Sequence, residues 1–231
     1  MRLFAAFLLL VNASICRAAD DWRAVLAGMP LREPVTELNT SNYARLLLGA
    51  FESNDTVKAL IIMPGAVDTF FWHRETTATL TNASPTLLDA VVALTNQTRI
   101  HATFEPPFLL LRFDWDPQQP LCEILDGTPI AKLQRKTFAG HVLCNDQDWD
   151  SMLPTLKKGT GLAIAPKKHS RYSYHFYRST FAAWNLNSWE AVEAMALSTR
   201  TIVSVGRRTL SFREDSRYVT DQPLGVHGSG P

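Results

Sequence analysis

Leu80-Thr81-Asn82-Ala83-Ser84-Pro85 leads into Thr86-Leu87-Leu88-Asp89-Ala90-Val91-Val92-Ala93-Leu94-Thr95. This stretch decides the fold class. Its first part reads as a strand that ends at a helix start, with Ser84 as N-cap and Pro85 at the first helical position. Leu87, Leu88, Val91, Leu94 and Thr95 then recur at helical spacing. Thr95-Asn96-Gln97-Thr98, poor in helix propensity, stops the helix. Beyond it, Ile100 to Phe104 and Phe108 to Phe113 flank Glu105-Pro106-Pro107 as a hairpin. A strand, a helix and a hairpin in succession predict an α+β fold.

Reading outward, the same order recurs about a hundred residues later. Leu60-Ile61-Ile62-Met63-Pro64 stands beside Leu162-Ala163-Ile164-Ala165-Pro166, each a short apolar strand stopped by proline. Phe70-Phe71-Trp72-His73-Arg74 matches Tyr172-Ser173-Tyr174-His175-Phe176, with His73 and His175 at the same offset from the proline. Asn187 with Glu190 three residues on reads as a capping-box variant. The helix it opens carries Trp189, Val192, Met195, Ala196 and Thr199 at helical spacing. A second hairpin, Ile202 to Val205 and Thr209 to Phe212, flanks Gly206-Arg207-Arg208. Helices are also expected over Tyr43 to Phe51 and Trp149 to Leu156, one ahead of each unit.

The expected organisation is two tandem copies of a small sheet-plus-helix unit, at 40–117 and 146–216. An N-terminal helix and linker (20–39) precede them, and segment 118–145 connects them with a strand around Gly140-His141-Val142-Leu143. The tail, 217–231, ends in a Gly- and Pro-rich run expected to be disordered.

Ala78 to Phe113 resembles the short domain at the N-terminus of secretins and TonB-dependent receptors. The residues that carry the likeness are Leu80-Thr81-Asn82-Ala83-Ser84, Leu87 to Leu94, and Phe108-Leu109-Leu110-Leu111. Asn185 to Phe212 matches it more loosely. The resemblance implies a periplasmic protein-interaction module rather than an enzyme. Within this sequence no barrel or pore segment follows the domain, so it implies the module alone.

The N-terminus points to export. Arg2 is followed by an apolar run, Leu3 to Val11, too short for the roughly 20 residues of a spanning helix. Small residues follow at Ala18-Ala19, which predicts a cleavable signal peptide over 1–19 and a periplasmic or extracellular mature chain from Asp20. Ile15 before Cys16 fits a lipoprotein site poorly. No later run is long and apolar enough to span a membrane. At 46% hydrophobic and 19% charged residues, the chain is not a disordered polyampholyte. Cleavage removes Cys16 and leaves Cys122 and Cys144, a candidate disulfide in an exported chain, or two buried thiols.

Net charge is +1 but unevenly spread. Residues 20–116 carry 7 Lys/Arg against 12 Asp/Glu, net −5; residues 117–231 carry 14 against 10, net +4. Within the basic half, Lys157, Lys158, Lys167, Lys168, Arg171 and Arg178 interleave with Tyr172, Tyr174, Phe176 and Tyr177. Positive charge among aromatic faces suits an anionic polymer or a protein partner of the envelope. Aromatics packed inward beside a solvated lysine loop would look the same. Arg207 and Arg208 at the second hairpin turn would extend the basic face.

Catalytic signals are sparse. There is no Gly-x-Ser-x-Gly elbow, phosphate-binding glycine loop or His-Glu-x-x-His motif, and nothing implies a cofactor or metal. Asp146, Asp148 and Asp150 lack the glycine turn of a calcium loop and read as charges at a helix start. The leading expectation is a non-enzymatic exported binding or assembly module. The alternative is an exported hydrolase with its site between the units near His73 and His175.

Overall fold

A computed structural model of the chain describes residues 22–39, 41–62, 77–113, 122–138, 140–165, 178–199 and 201–214. The expected signal peptide, the runs around His73 and His175, and the tail after 214 lie outside the described residues. So do Lys167, Lys168, Arg171, Tyr172 and Tyr174.

The fold is α+β. In chain order come helix α1 (22–27), β1 (Glu37–Leu38), α2 (Tyr43–Ala50), β2 (Ala59–Ile62), β3 (Ala78–Thr79) and α3 (Leu87–Gln97). The hairpin β4 (Ile100–Glu105) and β5 (Phe108–Phe113) follows, then β6 (Cys122–Ile124), α4 (Ile130–Arg135) and β7 (His141–Asp148). The second half continues with α5 (Trp149–Thr160), β8 (Ala163–Ile164), β9 (Arg178–Trp184), α6 (Ser188–Thr199), β10 (Thr201–Val205) and β11 (Thr209–Glu214). Among the described residues, no helix is long and apolar enough to cross a membrane.

Two mixed sheets organise these elements. The larger has strand order β4-β5-β2-β9-β7, the smaller β6-β10-β11-β8, and β1 pairs with β3 apart from both. Strand β2 is buried along its whole length, as a strand covered on both faces must be. Leu60 and Ile62 join one core with Leu109, Leu111 and helices α1 to α3. Ala59 and Ile61 face the opposite way, into a second core with Phe108, Leu110, Phe181 and Val142. The period-2 alternation of a strand thus divides one sheet between two cores.

Helix α6 fills the second core. Ser188, Ala191, Val192, Ala194, Met195, Ala196, Ser198 and Thr199 are all buried, and only a narrow stripe of Trp189, Glu190, Glu193 and Leu197 is half-buried. A helix buried over most of its circumference belongs in an interior. Here it packs on β2 and β9 of the larger sheet and on β10 of the smaller, and its small residues permit the close approach. The expected capping box closes its first turn: Glu190 N–H donates to Asn187 Oδ1, and Asn187 N–H to the Glu190 carboxylate, both at 2.8 Å. The same carboxylate pairs with Lys58 Nζ at 2.8 Å, tying α6 to the entry of β2.

Helix α3 begins two residues later than the sequence suggests. Thr86, not Ser84, is the N-cap, and Asp89 is its reciprocal partner, with Asp89 N–H on the Thr86 hydroxyl and Thr86 N–H on the Asp89 carboxylate. Pro85 therefore sits outside the helix, where its carbonyl accepts from Leu31 N–H. These bonds, Thr86 N–H first, hold the Asp89 carboxyl below its usual range, and Asn82 adds a side-chain bond to it.

Both halves share a connectivity. In the first, β2 runs parallel to β5, the second strand of the β4–β5 hairpin. In the second, β8 runs parallel to β11, the second strand of the β10–β11 hairpin. The strands in between differ. β3 pairs with β1, whereas the longer β9 crosses into the larger sheet and lies antiparallel to β2, with Ala59 opposite Ala183. The second half therefore completes the first half's sheet.

Cys122 and Cys144 are free thiols in the structure. They lie on different sheets, β6 in the smaller and β7 in the larger. Cys144 is buried with its sulfur 3.2 Å from Met152 Sδ. Burial pushes both thiols up to about 12, and the Glu193 charge adds to the shift at Cys122.

Candidate functional site

Three segments of the second half converge on a cleft of about 670 Å³. Helix α4 and its two flanking caps supply Pro129, Lys132, Leu133 and Lys136; the exit of α5 supplies Thr160 to Ala163; the β10–β11 turn supplies Arg207 and Arg208.

Each wall has a local cause. Helix α4 is anchored by buried Leu133, which leaves Lys132 and Lys136, four residues apart, on a neighbouring face. Its start is pinned by the Thr128 hydroxyl, which reaches the carbonyls of Leu125 and Val205. Its end is fixed where Lys136 C=O accepts from Ser188 N–H at 2.8 Å and from the Ser188 hydroxyl at 3.2 Å. That hydroxyl also lies 3.0 Å from Gly159 C=O, so one buried serine joins α4, α5 and α6.

Helix α5 ends on Gly161, whose φ of +73° suits a residue without Cβ just past a C-terminus. Its N–H caps Lys157 C=O at 2.8 Å. The chain then enters β8, where Ala163 N–H bonds Arg208 C=O at 2.9 Å and holds the arginine turn against this wall. Gly127, at φ +75°, lies against the Arg207 stem. The Lys136 ammonium reaches Lys158 C=O at 3.4 Å, near the negative end of α5.

The cleft is one-signed. Lys132, Lys136, Arg207 and Arg208 line it, no carboxylate does, and exposed Lys157 and Lys158 flank it on the last turn of α5. Among the described residues, the ion pairs all involve other cations: Arg32, Arg45, Lys58, Arg112 and Arg213. No aromatic side chain lines the walls. Also among the described residues, no group of three or more His, Cys, Asp or Glu is placed to hold a metal ion.

The expected binding residues are therefore partly assembled. Arg207 and Arg208 are in the cleft, Lys157 and Lys158 are beside it, and the backbone of Arg178 opens β9 opposite Asp148. Lys132 and Lys136 were missed because α4 falls in a segment read as a connection, and Gly161 because a lone glycine after a helix carries no charge signal. The trace of α4 in the sequence is the run Ile130-Ala131-Lys132-Leu133-Gln134-Arg135-Lys136, apolar at one spacing and basic between.

A second polar cluster, Trp189, Glu190 and Glu193, lies on the less buried stripe of α6. Burial pushes the Glu193 carboxyl up to about 6, opposed by a hydrogen bond from Trp189 and reinforced by the Glu190 charge.

Compared with known protein families, curated proteins and solved structures, the chain has no match.

Proposed function

We propose that the chain is an exported, non-enzymatic binding module of the cell envelope, and that its second half contacts an anionic partner. One observation carries this reading: four cations from two segments, α4 and the β10–β11 turn, line a single cleft that holds no carboxylate. Unpaired like charges cost stability through mutual repulsion, and an anionic partner relieves that cost. The hydrogen bonds through Ser188 and Ala163 prearrange these walls before any partner arrives, which lowers the ordering cost of binding. The net +4 of the basic half and the likeness of Ala78 to Phe113 to an envelope interaction domain support the same role.

The test is retention on immobilised heparin, a sulfated glycan, along a salt gradient. Native protein should be retained, and a variant with Lys132, Lys136, Arg207 and Arg208 changed to glutamine should elute at clearly lower salt. Equal elution of a still-folded variant would remove the cleft from the reading.

A further inference from the structure

The cations of the cleft also define the chemical group it takes. We infer that the cleft is a receptor for a phosphate group carried on a compact body; this rests on the binding role proposed above.

Charge is the first argument. A carboxylate brings one negative charge and two acceptor oxygens, whereas a phosphate monoester brings about −1.5 to −2 and three strong acceptors near neutral pH. Lys132, Lys136, Arg207 and Arg208 exceed what one carboxylate neutralises.

The mixture of cations is the second. Adjacent arginines on the β10–β11 turn offer planar forks suited to bidentate contact with oxyanions. Lysines facing them from α4 act as point charges with rotatable donors. The Lys136 ammonium makes one bond, to Lys158 C=O, and keeps further protons to donate.

Shape is the third. A volume of about 670 Å³ falls within the range of small-molecule sites. The Lys136 ammonium lies against the Gly161 backbone, where a Cβ would stand 3.4 Å from its Nζ. The rest of the lining is aliphatic, from Pro129, Leu133, Leu162 and Ala163, with no aromatic ring for a base to stack on. A single-stranded nucleic acid draws much of its affinity from such stacking. A phosphorylated small molecule or the phosphate headgroup of a lipid does not need it.

The experiment is calorimetric titration of the purified protein with inorganic pyrophosphate, using malonate as a dicarboxylate comparison. Pyrophosphate should bind more tightly than malonate. Lys136→Gln and the paired Arg207→Gln/Arg208→Gln should each weaken it about tenfold or more, the usual consequence of removing a charged donor. Arg32→Gln, whose side chain pairs with Glu52 in the other half, should leave binding unchanged. Circular dichroism confirms that each variant is folded.

Competition by pyrophosphate for vesicles containing phosphatidic acid, whose headgroup is a phosphate monoester, would identify a lipid-borne phosphate. Pyrophosphate binding without vesicle binding would identify a soluble ligand. The inference is overturned if malonate matches pyrophosphate, if neither produces heat, or if the cleft variants bind as the native protein does. Heparin retention that survives such a result leaves the broader binding role standing; loss of both sinks the two together.

Discussion

Replacing Gly159 by alanine should destabilise the protein, although alanine is the better helix former. Gly159 lies in the last turn of α5, and a Cβ there would stand 2.0 and 2.1 Å from two ring carbons of Phe138. Carbon atoms in good contact sit about 3.5–4.0 Å apart, so the ring would have to withdraw by about 1.5 Å. It has little room, since Phe138 is part of the second core and its N–H is bonded to Leu186 C=O at 2.8 Å. Overpacking of this kind costs about 1–3 kcal/mol. Alanine's helix preference returns up to about 1 kcal/mol, and less in a final turn. The net loss is about 1–2 kcal/mol, which lowers Tm by about 2–4 °C per kcal/mol in a protein of this size.

Urea unfolding followed by circular dichroism gives the value. Phe138→Leu supplies the control, because a smaller side chain makes room and Gly159→Ala should then cost much less. The double-mutant cycle should therefore show strong coupling between the two sites. A Gly159→Ala protein as stable as the native one, or additive effects, would refute the packing of α5 on this ring.

Other predictions concern α6 and the thiols. Glu190→Ala should cost about 2–3 kcal/mol in chemical unfolding, since it removes the Glu190 side-chain half of the capping box and the partner of Lys58. Glu190→Gln should retain part of the cap and cost less. Glu193, held near 6, contributes stability that is present below the ordinary carboxylate value of 4.5 and lost as pH rises through about 6. Glu193→Gln should therefore stabilise at pH 7 by about 1 kcal/mol after allowance for solvent screening, and flatten the stability profile between those values. An unchanged profile would show that the carboxyl ionises normally. Cys122 and Cys144, both pushed up to about 12, should react with a thiol reagent far more slowly in the folded protein than in denaturant at pH 8. Denatured protein that shows no reactive thiol would instead reveal a disulfide.

The elements were legible where local chemistry repeats. The periodicity of Leu87, Val91 and Leu94 and the Asn187–Glu190 pair locate α3 and α6, and both hairpins stand where their turn residues place them. Thr86 escaped notice as a cap because Ser84-Pro85 offers a stronger local signal, and only the reciprocal bond to Asp89 decides between them. Partners of strands were not legible. Nothing in Arg178–Trp184 says that it pairs with β2 and β7 rather than with the small sheet of its own half, because pairing between distant strands leaves no local mark. The cleft was half legible for a related reason. Arg207 and Arg208 stand out at a turn, whereas Lys132 and Lys136 join them through the short α4, held by Leu133 and Ser188 from afar.

The most direct test of the central claim is amide chemical-shift mapping on titration with inorganic pyrophosphate. A charge-neutralising ligand in the cleft should shift Lys132, Lys136, Gly161, Ala163, Arg207 and Arg208 together, along one saturating curve. Shifts confined to other surfaces, or none that saturate, would contradict the assignment of these cations to a single anion-binding site.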